Sequence, residues 1–271
     1  MCRWLAYSGP SIALSTLLTR PKHSLIDQSR HATQNVETTN GDGFGVGWYG
    51  EGVTPGVYRS THPAWNDTNF RHLADHIRSG LFLSHVRAAT GTPVQSTNCH
   101  PFSYENWLFQ HNGSVPEFSR LKRQLLFDID PKLFPCIEGS SDSEILFFLA
   151  LTFGLRDDPL EALARTTGHV ETARTQAGIK QPFFFSACTS DGERLWAVRY
   201  SSDNESRTEY HSRHIRALHD IDGTYALLPE GAVIVLSEPL DELSEHWETV
   251  PESSTLLVEN GQVTINPFSP R

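Results

Sequence analysis

Met1-Cys2-Arg3 opens the chain, and this stretch places a nucleophile at the terminus once the initiator methionine is removed. A cysteine in first position carries a thiol and a free α-amine on one residue, so the base that takes the thiol proton is built in. Both groups titrate near neutral pH, at about 8.5 for a thiol and about 7.7–8.0 for an α-amine. The alternative is a frayed end whose cysteine packs as a small hydrophobe.

The composition describes a chain that can bury a large core. Of the 271 residues, 38% are hydrophobic and 20% are charged, which is typical of a globular protein. We expect a single domain over residues 1–271, although this exceeds the commonest domain size. The net charge of −10, without a run rich in lysine and arginine, argues against nucleic-acid and anionic-membrane partners. We therefore expect a small-molecule substrate.

The spacing of cysteines and histidines argues against metal and disulfide chemistry. The four cysteines have no CxxC spacing, and the thirteen histidines follow no HExxH pattern. We therefore expect no metal, no cofactor and no disulfide framework. No segment resembles a secretory signal or reaches the roughly 18 apolar residues of a membrane span, so a cytoplasmic location is expected.

Two segments in the first half of the chain combine a strand with a polar loop. NGDGFGVGWY (40–49) alternates glycines with apolar residues, as in a closely packed strand, and its Asp42 is interpreted as a turn residue rather than one that orients a site. LFLSHVRA (81–88) is predicted as a strand that leads into a long polar loop (89–102). Arg87, at the end of that strand, either binds a carboxylate through two parallel N–H groups or forms a surface ion pair.

A further strand, WLFQ (107–110), leads into His-Asn-Gly (111–113). Asn112 offers a side-chain amide and Gly113 an unobstructed backbone N–H, and an oxyanion hole needs two such donors. Asn-Gly is also typical of a hairpin turn, and the pair taken alone favours that alternative.

The remaining periodicity predicts alternating helices and strands. Helices are predicted over 12–18, 68–79, 118–125, 145–153 and 160–178. Strands are predicted over 183–190, 194–201, 225–228, 232–237, 254–259 and 262–265. Ser141 and Asp142 precede one apolar run as an N-cap does, so Asp142 is either a cap or a substrate ligand. Asn260-Gly261, between the last two strands, is a strong type I′ hairpin signal.

Five motifs occur in the order seen in class II glutamine amidotransferases: Cys2-Arg3, DGFGVGWY, SHVRAATGTPVQSTNCHPF, FQHNGSV and SDSEILFFLAL. The chain resembles a stand-alone member of that family, of the YafJ-like subgroup, and is similar to the γ-glutamyl hydrolase of ergothioneine biosynthesis. The motifs lie within residues 2–154, and SEPLD (237–241) also fits the subgroup.

The resemblance implies an α+β fold of the N-terminal nucleophile (Ntn) hydrolase type. This is a four-layer αββα sandwich, with two antiparallel sheets between helical layers. It also implies that Cys2 attacks the γ-amide carbonyl of glutamine while its α-amine relays the proton. Ammonia then leaves a thioester that water hydrolyses. Asn112 and Gly113 would hold the oxyanion.

By the same matching, Arg87 would bind the α-carboxylate of the substrate, Thr90 would lie near it and Asp142 would bind the α-ammonium group. The loop Ala88-Ala89-Thr90-Gly91 lacks the aromatic residue and histidine that some members carry there, which implies a different closing loop. We recognise no synthase domain to receive ammonia. Three functions therefore stay open: a glutaminase or amidotransferase subunit with a separate synthase partner, a hydrolase of larger γ-glutamyl amides, and a catalytically silent binding protein.

Overall fold

The computed structural model describes residues 2–32, 39–89, 91–213, 217–219 and 225–271. In these ranges the strands are, in chain order, β1 (Arg3–Ala13), β2 (Phe44–Trp48), β3 (Gly56–Ser60), β4 (Arg78–Val86), β5 (Phe102–Tyr104), β6 (Trp107–Ser114), β7 (Phe184–Ser190), β8 (Leu195–Ser201), β9 (Tyr210–Ser212), β10 (Ala217–His219), β11 (Tyr225–Leu227), β12 (Val233–Leu236), β13 (Trp247–Thr249), β14 (Ser254–Glu259) and β15 (Gln262–Pro267). The helices are α1 (Ser15–Leu18), α2 (Leu25–Gln28), α3 (Thr68–His76), α4 (Phe118–Phe127), α5 (Asp142–Thr152) and α6 (Pro159–Gln176). In the part of the chain so described, each helix is too short or too polar to cross a membrane.

Two antiparallel sheets form the centre of the fold. The first runs β13-β9-β12-β1-β4-β2-β3, and the second runs β15-β14-β8-β7-β6-β5, while β10 and β11 pair separately. The strand that follows Cys2 is therefore internal to a sheet. Leu5 in β1 pairs with Leu236 on one side and with Ser84 on the other. Two sets of ladder hydrogen bonds thus fix the main chain just after the predicted nucleophile.

Apolar side chains occupy three spaces between the layers. Trp4, Leu83 and Leu108 belong to the core between the two sheets. Leu5 belongs to the core on the outer face of the first sheet, where α1, α2 and α3 pack. Phe109 belongs to the core between the second sheet and helices α4, α5 and α6. Because neighbouring side chains of a strand point to opposite faces, each central strand contributes to two of these cores. The predicted αββα sandwich is confirmed.

Helix α5 lies inside the protein and does not cover its surface. Every residue from Ser143 to Leu151 is buried. A helix that is apolar on all sides is expected in a core, because no face of it favours water. Its N-terminus is set by Ser141, whose hydroxyl accepts a hydrogen bond from the backbone N–H of Glu144 at 3.2 Å. The buried helix thereby holds Asp142, its first residue, at a fixed place beside the sheets.

Most predicted elements are present, with differences at their ends. Ile12 belongs to β1, so the early helix is shorter than predicted. The hairpin alternative for Asn112-Gly113 is wrong, because both residues continue β6 and Asn112 pairs with Ser186 of β7. The hairpin at the end of the chain is confirmed: Asn260 and Gly261 have φ angles of 53° and 73°, as a type I′ turn requires.

Candidate active site

A cavity of about 300 Å³ lies at one end of the two sheets. Its lining includes Cys2, Arg87, Gly113 and Asp142, which together span 140 positions of the sequence, from 2 to 142. The start of β1, the end of β4, the end of β6 and the start of α5 meet there. The volume is at the small end of the range for ligand pockets, which suits a ligand of amino-acid size.

Cys2 is held against the segment that follows β4. Its sulfur accepts a hydrogen bond from the backbone N–H of Ala88 at 3.4 Å and lies 3.6 Å from the carbonyl oxygen of the same residue. Burial raises the pKa of the Cys2 thiol, and the Ala88 backbone and the charge of Arg87 offset this rise only in part. The thiol is therefore protonated near neutral pH, and a reaction at its sulfur requires a base.

Arg87 is 4% exposed, so the surface ion pair considered for it is wrong. One guanidinium nitrogen, Nη2, donates to the hydroxyl of Thr92 at 2.6 Å, and Nη1 donates to the carbonyl oxygen of Asp42 at 3.4 Å. In the described ranges no carboxylate comes within ion-pair distance of it. A buried guanidinium without a carboxylate is suited to bind an anionic ligand.

Asp42 orients the loop that follows Arg87, a role that the turn interpretation missed. Its carboxylate accepts a hydrogen bond from the backbone N–H of Ala89 at 2.7 Å, and its backbone N–H donates to the carbonyl oxygen of Arg87 at 3.0 Å. The adjacent Gly43 has a φ of +107°, and a Cβ there would lie 2.7 Å from the sulfur of Cys99. The pair of glycines around Asp42 was the signal for this close approach.

Asn112 and Gly113 reach the site as consecutive residues of β6. Gly113 lines the cavity, and a Cβ at this position would collide with the carbonyl oxygen of Phe184. Asn112 is buried beside the cavity, although it is not part of the lining. By strand alternation it shares a face with Gln110, whose amide donates to the carbonyl oxygen of Leu5 in the first sheet. Asn112 therefore faces the sheet that carries Cys2.

Asp142 contributes a carboxylate to the wall of the cavity. Ser141 is the N-cap of α5, so the cap interpretation of Asp142 is wrong. One carboxylate oxygen accepts from the backbone N–H of Val115 at 2.9 Å, and the other accepts from the N–H of Ser143 at 2.8 Å. These two bonds fix the orientation of the carboxylate. The cavity thus holds a cation, Arg87, and an anion, Asp142.

Histidines near the cavity are neutral. The Nε2 atom of His111 lies 3.0 Å from the carbonyl oxygen of Phe184, and Nδ1 lies 2.9 Å from the hydroxyl of Ser143. Because a carbonyl only accepts, Nε2 carries the proton, and the single hydroxyl proton of Ser143 is shared between Nδ1 of His111 and Oδ1 of Asp142, which lies 3.3 Å from the hydroxyl oxygen. Burial lowers the pKa of His111, and the nearby charge of Asp142 only partly reverses this effect. Both ring nitrogens are occupied, so His111 is not available as a base for the thiol.

A stacked pair of histidines lies behind the site. The rings of His85 and His100 are 4.1 Å apart between centroids, and His100 reaches the cavity. Burial, together with the charge of Arg87, lowers the pKa of His85 to about 3, and burial lowers the pKa of His100 well below its ordinary value. Imidazoles with such low pKa values are weak bases at neutral pH.

Of the residues that the resemblance selects, Cys2, Arg87, Gly113 and Asp142 line the cavity, and Asn112 is buried beside it. Thr90 lies outside the described residues. The hydroxyl that binds Arg87 belongs to Thr92.

Comparisons with known proteins find related sequences and a related fold. The family model described as "Glutamine amidotransferases class-II" matches residues 23–270. The probable glutamine amidotransferase DUG3 of Saccharomyces cerevisiae is 32% identical, over 99% of this chain and 84% of its own length. The gamma-glutamyl-hercynylcysteine sulfoxide hydrolase of Mycobacterium tuberculosis is 30% identical, over 98% of this chain and 96% of its own length. A solved structure of a glutamine aminotransferase class-II domain protein from Silicibacter pomeroyi superposes with a TM-score of 0.74 at 32% identity, over 99% of this chain and all of that one.

Proposed function

The chain belongs to the class II glutamine amidotransferase family, and we propose on this premise that it hydrolyses the γ-amide of glutamine through Cys2 as an N-terminal nucleophile. In this reaction the sulfur of Cys2 attacks the γ-carbonyl carbon, and the C–N bond then breaks. The departing nitrogen takes the thiol proton and leaves as ammonia. Water hydrolyses the resulting thioester to glutamate and regenerates the thiol.

One observation carries this proposal: a thiol, a guanidinium that has no carboxylate partner among the described residues, and an oriented carboxylate line the same small cavity. Glutamine has a carboxylate and an ammonium group on its α-carbon and a carbonyl at the end of a short side chain. Arg87 is suited to the α-carboxylate and Asp142 to the α-ammonium group. Binding both at once holds the γ-carbonyl at a fixed distance, so the thiol meets it in an effectively intramolecular reaction.

The α-amine of Cys2 is the base in this proposal. The thiol is protonated because burial raises its pKa. Both nitrogens of His111 are already hydrogen-bonded, and the pKa of His100 is well below neutral. An α-amine has a pKa of about 7.7–8.0 and belongs to the same residue as the thiol. This role requires that Met1 be removed.

Asn112 and Gly113 are proposed to stabilise the oxyanion that forms when the thiol attacks. Both residues lie on β6, which runs from the core between the sheets to the cavity, and this position supports the proposal. A hydrogen-bond donor of this kind typically lowers the barrier by about 2.7–4 kcal/mol. Thr90 is proposed to lie near the substrate carboxylate, since it follows Arg87 in the matched motif.

A second candidate is the hydrolysis of a γ-glutamyl amide larger than glutamine. It is favoured by the similarity to the Mycobacterium tuberculosis relative, which is named as a hydrolase of gamma-glutamyl-hercynylcysteine sulfoxide and matches nearly the whole chain. The glutamyl half of such a substrate presents the same α-carboxylate, α-ammonium group and γ-carbonyl. The two candidates share every step and differ only in the amine that leaves. A separate synthase that receives ammonia belongs to the first candidate alone.

The test is to incubate purified protein with glutamine and with a panel of γ-glutamyl amides, and to measure glutamate and the released amine. Equal amounts of glutamate and ammonia from glutamine support the first candidate. Turnover that is confined to larger amides supports the second, and no turnover of any substrate contradicts both. Asp142→Asn should raise KM for every substrate that reacts, because all share the α-ammonium group. Asp157→Asn, in an exposed loop, is the matched control and should leave KM unchanged.

A further inference from the structure

Arg3 joins the predicted nucleophile to a buried carboxylate. Its side chain and that of Glu238 are each 1% exposed, and Nε of Arg3 lies 2.6 Å from Oε2 of Glu238. A second guanidinium nitrogen, Nη1, donates to the carbonyl oxygen of Cys2 at 2.9 Å. The guanidinium therefore bonds at once to Glu238 and to the main chain of the nucleophile.

Glu238 is itself held on several sides. Nε2 of His23 lies 2.7 Å from its second carboxylate oxygen, and the side-chain amide of Gln28 donates to its carbonyl oxygen at 3.0 Å. The preceding residue, Ser237, exchanges hydrogen bonds with Trp4: its hydroxyl accepts from the Trp4 N–H, and its own N–H donates to the Trp4 carbonyl, both at 3.0 Å. The segment after β12 is thus bonded to the two residues that follow Cys2.

The charges of this group balance when His23 is protonated. Burial disfavours the imidazolium, but hydrogen bonds and charge interactions with Glu238 and Asp27 outweigh burial and raise the pKa of His23. The Nδ1 atom of His23 lies 3.2 Å from a carboxylate oxygen of Asp27, nearer the surface. Two anions and two cations then alternate from Asp27 to Arg3.

Burying an ion pair seldom adds stability over apolar residues of the same size, because both groups lose their hydration. The Arg3–Glu238 pair is therefore not expected to add much to the overall free energy of unfolding. Its position beside the N-terminus points to a different role. A terminal residue frays unless it is tied down, and after Met1 is removed Cys2 is the terminus. The Arg3 guanidinium donates a hydrogen bond to the main-chain carbonyl oxygen of Cys2.

We propose that Arg3, Glu238 and His23 form a clamp that positions Cys2, with its thiol and α-amine directed into the cavity. The three are positioning residues, since none of them lines the cavity. Cys2 directly precedes Arg3, the first residue of β1, and of the two only Cys2 lines the cavity, so the clamp holds the nucleophile without occupying the substrate site. The inference rests on the proposed function only in taking Cys2 as the nucleophile.

The test uses Arg3→Lys, Glu238→Gln and His23→Gln in the full chain. Lysine keeps the charge of Arg3, but its single ammonium cannot reproduce the fork that reaches both Glu238 and Cys2. We expect kcat to fall about 10²-fold in Arg3→Lys and Glu238→Gln, with KM changed less than about twofold, because a displaced nucleophile affects the transition state and not substrate binding. His23→Gln should show a smaller loss, since it acts one bond further away. His31→Gln is the matched control: His31 is 75% exposed, and its ring nitrogen lies 3.9 Å from a carboxylate oxygen of Asp27.

A second readout does not depend on the substrate. Alkylation of Cys2 by iodoacetamide, followed by mass spectrometry of the N-terminal peptide, should become about tenfold faster in the same two variants, because a displaced thiol leaves the burial that raises its pKa. The exposed Cys136 in the same sample is the internal reference and should react at an unchanged rate.

Wild-type kcat together with wild-type alkylation of Cys2 in Arg3→Lys would overturn the clamp. Should Glu238→Gln fail to fold, Arg3→Lys and His23→Gln still decide the question, because the first keeps the buried charge and the second lies near the surface. If no γ-glutamyl substrate is turned over, the proposed function fails, and the alkylation rates test the clamp alone.

Discussion

The sulfur of Cys2 lies 3.4 Å from the backbone nitrogen of Ala88. This contact follows from the pairing of β1 with β4, in which Arg3 lies opposite Val86. The residues directly beyond this pair are Cys2 and Arg87, so sheet hydrogen bonds set the distance between the nucleophile and the arginine that is proposed to bind the substrate carboxylate. A shift of one residue in this register would turn Arg87 to the opposite face of the sheet.

Arg87→Lys should chiefly weaken substrate binding. The variant keeps the positive charge but loses the two parallel N–H groups and the bond to Thr92. We expect KM for the reacting substrate to rise roughly 10- to 100-fold, the worth of one charge-assisted hydrogen bond, with a smaller change in kcat. Arg78→Lys, at the exposed start of β4, is the control. An unchanged KM in Arg87→Lys would count against a carboxylate role.

Asn112→Ala should lower kcat about 10²- to 10³-fold and leave KM near the wild-type value, because an oxyanion exists only during reaction. Steady-state kinetics check this expectation. Asn106→Ala serves as the comparison, because Asn106 directly precedes the start of β6, the end remote from the cavity, and bonds to the carbonyl oxygen of Asp191. A rise in KM with unchanged kcat in Asn112→Ala would assign Asn112 to substrate binding instead.

Asp42→Ala should raise KM about tenfold, because the Ala89 N–H loses its acceptor and the loop next to Arg87 loosens. Asp42→Asn keeps an oxygen in the same place and should recover most of the affinity. KM values raised equally in the two variants would show that the carboxylate charge matters and that the hydrogen bond to Ala89 does not.

Glu209 should make the stability of the protein depend on pH. It is fully buried, and burial raises its pKa to about 7, although the Ser186 hydroxyl and Arg199 act in the opposite direction. The unfolded pKa is about 4.3, so between these values the folded state binds more protons and stability falls as pH rises. The loss reaches on the order of 3 kcal/mol above pH 7. Urea unfolding of wild type and Glu209→Gln at pH 5 to 8 measures it. A difference between the two proteins that does not change with pH would refute the assignment.

Active protein should lack Met1. If Met1 is retained, the nitrogen of Cys2 is an amide and cannot take a proton, and the nitrogens of His111 are already bonded. Intact-mass measurement of fractions separated by activity tests this. Full activity in material that uniformly carries Met1 would exclude the terminal amine as the base, even if Cys2→Ala proved inactive.

Much of the fold could be predicted from local patterns. The strands around residues 81–88 and 254–265 and the buried helix after Ser141 have periodicity or turn residues that act over a few positions, and the structure has these elements. Where a strand pattern and a turn pattern overlapped, the local sequence could not decide which of the two forms. Asn112-Gly113 has the composition of a hairpin turn, yet it continues β6, because pairing with the neighbouring strand β7 outweighs the turn preference.

The sequence by itself determined which chemical groups are present: a thiol next to the terminus, an arginine at the end of a strand, an Asn-Gly pair and a carboxylate at the start of a helix. Only the tertiary structure decided which of them meet and what holds them. The roles of Asp42 and of the Arg3–Glu238 pair depend on contacts between residues 47 and 235 positions apart. No local pattern encodes such contacts, because sheet register and layer packing create them only when the whole chain has folded.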